Sequence, residues 1–158
     1  MSTRSSIGIL KGGKIKQVYC HNDGYIQHNG YILNTHYNSA KKVEEILKLG
    51  DLSFLTKQLE PTGEHSFNDP EGGVTVAYHR DRGEELNVPK EMTIDEYKEY
   101  LKDSWCEFAY LYDTREDKWL YAKSDWDYLE EKNNWSAFKR LDYEIEDMMN
   151  KGEFEGWL

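Results

Sequence analysis

Two adjacent glycines, Gly12-Gly13, stand between the short apolar runs Ser6–Leu10 and Lys14–Cys20. Such a pair supplies the positive φ angles of a tight hairpin turn. A second polar turn, Asp113–Asp117, separates Trp105–Tyr112 from Lys118–Ala122. Two hairpins cannot lie in an all-parallel sheet, because parallel neighbours need long crossover connections. The chain is thereby directed to a single α+β domain over residues 1–158. We expect a mainly antiparallel sheet built from two hairpins plus one strand, with about four helices packed on one face of it.

The remaining elements follow from periodicity and caps. Asn22-Asp23-Gly24 is a turn signal. A short helix is predicted over His28–Tyr37, with Tyr31, Ile32 and Thr35 on one side. Ser39 caps a helix over Ala40–Leu49, with Val43, Ile46 and Leu47 as its stripe and Gly50 as its stop. Asp51–Leu55 reads as a single turn, and Glu60–Gly73 as a long surface loop. Val74–His79 alternates as a strand, and Arg80–Pro89 follows as a charged loop. Thr93 and Glu96 form a capping box for a helix reaching Asp103, with Ile94, Tyr97 and Leu101 inward. A last helix is predicted from Trp135 to Asn150, carrying Phe138, Leu141, Ile145 and Met148 and closed by Gly152.

Composition narrows the partners. Hydrophobic residues make up 38% of the 158, yet 14% are aromatic, including 12 Tyr and 5 Trp. Large rings build a core from few residues, and they also serve binding surfaces. The net charge of −10 is uneven: residues 1–92 carry 11 Lys/Arg against 12 Asp/Glu, and residues 93–158 carry 9 against 18. An acidic second half without a Lys/Arg stripe speaks against direct nucleic-acid binding and against anionic membranes. It suits a basic surface instead, such as the nucleic-acid-binding face of another protein. No apolar stretch approaches the roughly 18 residues of a membrane span. With no signal-peptide core either, the expected location is the cytoplasm. Removal of Met1 before Ser2 is expected.

Several residues could carry chemistry. Cys20, His21, Asp23, His28 and His36 are the right types for a metal, but consecutive Cys20 and His21 point to opposite faces of a strand. No metal and no cofactor is expected. Cys20 could act as a nucleophile with His21 or His36 as base, yet a packed, inert thiol is the better reading. Ser2 or Thr3 could serve as an N-terminal nucleophile after loss of Met1. No catalytic residue is assigned. Arg80 and Arg82, two residues apart beside His79, could clamp phosphate or carboxylate, and Arg4 and His21 could join them in an anion pocket walled by Tyr19 and Tyr25. Local pairing of Arg80 and Arg82 with Asp81, Glu84 and Glu85 is the competing reading. In the acidic half, Asp125, Trp126, Asp127, Tyr128, Glu130 and Glu131 interleave aromatics with carboxylates, and Glu144, Glu146 and Asp147 extend the charge. Aromatic anchors in a negative field fit a basic protein partner.

At STRSSIGI (2–9), YCHNDGY (19–25), HY (36–37), GDLSFL (50–55) and GVTVAYHRDRGE (73–84), the chain resembles a group of small proteins encoded by bacteriophages and prophages. The resemblance covers roughly the first 85 residues. It carries no catalytic role with it. It implies an accessory protein made in the cytoplasm of an infected bacterial cell, where such proteins block defences or redirect host enzymes. The expected function is binding and neutralising a host factor, with an anti-defence or host-takeover role. The alternative is a protein binding a nucleotide or another small anion in an Arg/His pocket, with hydrolysis as its most active form.

Overall fold

A computed structural model describes residues 2–158. Met1, and with it the expected trimming of the N-terminus, lies outside the described residues. The chain runs β1 (Ser5–Lys11), β2 (Lys14–Cys20), a π-type turn (Ile26–Gly30), α1 (Tyr31–His36), α2 (Ala40–Leu49), β3 (Leu52–Phe54) and β4 (Val76–Ala77). It continues through α3 (Tyr78–Arg82), β5 (Met92–Thr93), α4 (Ile94–Asp103), β6 (Phe108–Asp113), β7 (Lys118–Asp127), β8 (Lys132–Trp135), β9 (Lys139–Arg140) and α5 (Leu141–Asn150).

The first hairpin forms where the glycines place it. Ser5 faces Cys20 and Lys11 faces Lys14, with Gly12 and Gly13 at φ 58° and 76°. The second hairpin pairs β6 with β7 across the turn after Asp113. One mixed sheet of nine strands results, in the order β4-β3-β2-β1-β6-β7-β8, with β5 beside β2 and β9 beside β7. Most neighbours are antiparallel, but β1 pairs with β6 in parallel, and so does β2 with β3. Turn chemistry sets the partners inside a hairpin, whereas the junction between hairpins is made by a crossover long enough to run either way.

Other expectations change for local reasons. Residues 51–55 are not a bare turn; Leu52–Phe54 supplies a strand. The Val74–His79 strand ends at Ala77, and His79, Arg80 and Arg82 lie on the short helix α3. There the Asp81 carboxylate accepts the Ala77 N–H at 2.8 Å, drawing the backbone out of the ladder and into a helical turn. The His28–Tyr37 helix is split into the π-type turn and α1, and Leu33 is buried while Thr35 is exposed. The last helix begins at Leu141, because Trp135 closes β8 and Phe138 packs by Tyr97 at 6.4 Å.

Helices lie on both faces of the sheet, not on one. α1, α2 and α5 cover Ile7, Ile9, Val18, Tyr110 and Trp119 with Leu33, Val43, Ile46, Leu141 and Ile145. α4 covers the opposite face, where Tyr97 and Leu101 meet Ile15, Ala109 and Leu111. In β6 the residues Ala109 and Leu111 alternate with Tyr110 and Tyr112, so both faces of this central strand are apolar and both need a cover. Each fully buried Leu or Ile here contributes roughly 1.5–3 kcal/mol.

The buried rings keep their polar tips bonded. Tyr110 donates to the Gly24 carbonyl at 2.6 Å, Tyr37 to the Thr56 carbonyl at 2.6 Å, and the Trp119 indole to the Tyr37 carbonyl at 2.8 Å. Gly24 presses on the start of β1 so closely that a Cβ there would lie 2.8 Å from the Ser5 Cβ. The turn at 22–24 is thus clamped to the strand that follows Arg4, which sets the position of His21.

Candidate functional site

The residues marked by the sequence fall into three places, of which the second and third border one groove. The first is a knot under the long loop. Arg80 donates to the Leu59 and Thr75 carbonyls, each at 2.7 Å, and to both Asp81 carboxylate oxygens at 2.9 and 3.1 Å. His65 reaches the same carboxylate, with Nε2 3.1 Å from Oδ2, and its Nδ1 accepts the Glu71 N–H at 2.9 Å. The His65 and Asp81 side chains are only 2% and 4% exposed. Burial pushes the Asp81 carboxyl up, but hydrogen bonds from Arg80 and the Ala77 N–H, with His65 close beside it, outweigh it and hold it below its ordinary value. Arg82 lies outside the knot: it pairs with Glu84 and stacks over Phe67 and Tyr78 at 4.2 and 5.0 Å. The His79 Nδ1 meets the Glu84 carbonyl at 2.6 Å. Both arginines pair locally, with Asp81 and Glu84.

The second place is a cleft of about 660 Å³ lined by Arg4, Tyr19, His21, Tyr100, Asp103, Ser104 and Trp105. Three of the seven anion-pocket candidates meet here. Tyr25, His79, Arg80 and Arg82 do not line it; Tyr25 turns to Asp23 at 3.0 Å and packs against Trp157. The side chain of Arg4 is half-buried and forms no ion pair among the described residues. The Tyr19 hydroxyl and His21 Nδ1 bond at 2.6 Å. Burial lowers the His21 imidazole below its ordinary value, and the Arg4 guanidinium adds to that. Burial raises the Tyr19 phenol, against the pull of Arg4. The ring of Tyr100 is stacked on Tyr97 at 6.3 Å, whereas Trp105 is 80% exposed. Sequence reading passed over Tyr100, Asp103, Ser104 and Trp105. The capping box placed the end of α4 at Asp103, but the strand expected from Trp105 begins only at Phe108, which leaves Trp105 on a connector.

The third place is the tip of the β7–β8 hairpin, which holds every residue marked in the acidic, aromatic stretch. Ser124 pairs with Trp135 and Asp127 with Lys132. Asp127 Oδ1 accepts the Leu129 and Glu130 N–H groups at 2.9 and 3.2 Å and shapes the turn, which closes with Glu131 at φ 52°. The hairpin base is tied to α4. The Trp135 indole donates to the Leu101 carbonyl at 3.1 Å, and Asn133 Nδ2 to the Ser104 carbonyl at 2.9 Å, adding to the bonds that the Ser104 N–H and hydroxyl already make to Leu101 at this helix end. Trp126, Tyr128 and Leu129 are 47%, 84% and 97% exposed. Strand alternation divides the motif: Trp126 lines a groove of about 1300 Å³ that also contains Trp105, while Asp125 lines a separate cleft on the other side with Lys123 and Glu144.

Cys20 is fully buried, with its thiol pushed up to about 12 by burial despite hydrogen bonds from Asn29 and to the Asn22 carbonyl. That is the packed, unreactive thiol and not a nucleophile. Ser2 donates to the Asn22 side chain at 2.9 Å. Among the described residues no group of three or more His, Cys, Asp or Glu is placed to hold a metal ion. No helix among them is long and apolar enough to cross a membrane. Comparison with known proteins finds no matching family model, no similar curated protein and no matching solved structure.

Proposed function

We propose that this chain is a phage-encoded accessory protein that binds and neutralises a basic host factor through the β7–β8 hairpin. One observation carries the reading: Trp126, Tyr128 and Leu129 stand exposed on a hairpin whose base is fastened to α4, amid Asp125, Asp127, Glu130 and Glu131. Exposed large rings are costly in water and are the side chains that dominate interface energetics. Their carboxylate surroundings favour a positively charged partner and would speed encounter with it. A host protein with a nucleic-acid-binding face has the needed charge. The resemblance to phage and prophage proteins supplies the cellular setting.

The test is capture from bacterial lysate by the tagged protein, run beside variants. A basic partner should be retained at stoichiometric levels by the wild-type chain and lost from the Asp125→Lys/Asp127→Lys/Glu130→Lys triple variant. Trp126→Ala should weaken the purified complex by about thirtyfold, the effect of losing a hot spot of roughly 2 kcal/mol. Arg80→Ala should retain the partner. A partner held equally by the hairpin variants would overturn the reading.

A further inference from the structure

The cleft around Arg4 opens onto the groove that Trp126 lines, since Arg4, Asp103, Ser104 and Trp105 border both, but its inner walls of Tyr19, His21 and Tyr100 give it a different character. A guanidinium that no carboxylate pairs among the described residues, half-buried between aromatic walls, is an unusual feature in a chain of net charge −10. The fold had acidic residues in plenty, and Arg80, Arg82, Arg115 and Arg140 each have a carboxylate partner. Arg4 does not. Its backbone carbonyl anchors it by accepting the Glu107 N–H at 2.9 Å, so the side chain projects from the point where β1 meets the connector after α4. A planar fork held in this way is suited to two oxygens of one anion.

The other walls limit what that anion is attached to. Trp105, exposed as an indole on the rim, provides a face on which a planar ring can stack, and Tyr19 and Tyr100 add ring surface within. Asp103 lies at the same rim and forms no ion pair among the described residues, so its carboxylate can accept from hydroxyl or amino donors. The Tyr19 hydroxyl and His21 Nδ1 bond at 2.6 Å, and in the tautomer in which Tyr19 donates, the His21 Nε2–H is a second anion donor beside Arg4. The volume of about 660 Å³ falls within the ordinary span for small-molecule sites. Anion, sugar-like donors and a flat ring, at one cleft of that size, describe one class of ligand.

We infer that the cleft between the start of β1 and the end of α4 binds a free nucleoside monophosphate, with the phosphate on Arg4 and His21, the base on Trp105 and the ribose hydroxyls at Asp103. A long nucleic acid carries the same chemistry at its end, but the acidic surface would repel the rest of it.

The experiment is calorimetric titration of the full chain with the four nucleoside 5′-monophosphates, inorganic phosphate, the matching nucleosides and a 5′-phosphorylated oligonucleotide, with tryptophan fluorescence read in parallel. At least one monophosphate should bind the wild-type chain below about 1 mM and quench its fluorescence. The nucleoside and inorganic phosphate should each bind at least about tenfold more weakly. Arg4→Gln should weaken binding about tenfold or more, the loss of charge-assisted hydrogen bonds. Trp105→Ala should weaken it about fivefold or more, while Trp105→Phe keeps most of the affinity and loses the quench. Unchanged thermal midpoints for these variants show that the fold survives. No binding of any monophosphate, undiminished binding by Arg4→Gln, equal binding of inorganic phosphate, or preference for the oligonucleotide would each overturn the inference.

Discussion

Around Arg80 the guanidinium meets two carbonyls and both oxygens of a buried carboxylate; around Arg4 it meets a cleft. Both arginines were read as members of one anion pocket, each at the end of a strand-like run. The loop at 60–73 folds back over Arg80, and its His65 closes the knot through Asp81. Among the described residues Arg4 is left beside a cleft, where its neighbours Tyr19, Tyr100 and Trp105 wall the space without filling it. The lesson is that a polar cluster becomes structure when chain from elsewhere satisfies it, and becomes a candidate site when chain only surrounds it. Cys20 belongs with Arg80 in this respect: Asn29, itself bonded to Ser5 at 3.1 Å, covers its sulfur.

The comparison can be broken in several ways. The largest effect should be on the covered thiols. Cys20 is pushed up to about 12 and Cys106 to about 11, both chiefly by burial. Alkylation of Cys20 in the folded protein at pH 8 should be slower than in the denatured chain by a factor on the order of a thousand from ionisation alone. Labelling of the folded chain at the denatured rate, followed by mass spectrometry, would show that the site is open after all.

Next comes the knot. Asp81→Ala leaves Arg80 and His65 without their shared carboxylate and should cost about 3 kcal/mol in urea unfolding. A loss below about 0.5 kcal/mol would place the Arg80 cluster in the open class with Arg4. A pH series sharpens the same point. The Asp81 carboxyl is depressed in the folded state, so its stabilisation is present at neutral pH and is lost as pH falls through that lowered value. The stability gap between wild type and Asp81→Asn should therefore close below about pH 4. A gap that stays constant down to strong acid would mean that the charge contributes nothing.

The smallest effects should come from the open groups. Arg4→Ala and Arg82→Ala should each change the unfolding free energy by no more than about 0.5 kcal/mol, since neither removes a buried partner. A large loss from Arg4→Ala would reveal a structural role for that side chain and remove the contrast with Arg80.

Much of the fold was legible because its signals are local. Gly12-Gly13 turns a hairpin, Ser39 and Thr93 cap their helices, Val43, Ile46 and Leu47 make the face of α2, and Leu141, Ile145 and Met148 that of α5. The acidic, aromatic segment was also legible as a surface. Its division by the β7–β8 hairpin was not, because the pairing of Ser124 with Trp135 depends on Trp135 and Asn133 finding the end of α4. The cleft was half legible: Arg4, Tyr19 and His21 come from one hairpin and its flanks, while Tyr100, Asp103 and Trp105 arrive from residues about a hundred positions along the chain. Arg80 and Arg82 were read as partners of that cleft because spacing cannot tell that His65 and Leu59 lie over one of them.

What the sequence determined by itself is whatever a few neighbouring residues decide: turns from backbone freedom, helix ends from caps, faces from periodicity, and the negative field of the second half from composition. The tertiary structure alone decided the parallel join of β1 to β6, the placing of α4 on its own face, and which arginine is covered. Those choices depend on residues far apart in the chain meeting to bury apolar surface and satisfy polar groups, and no local pattern records which of them will meet.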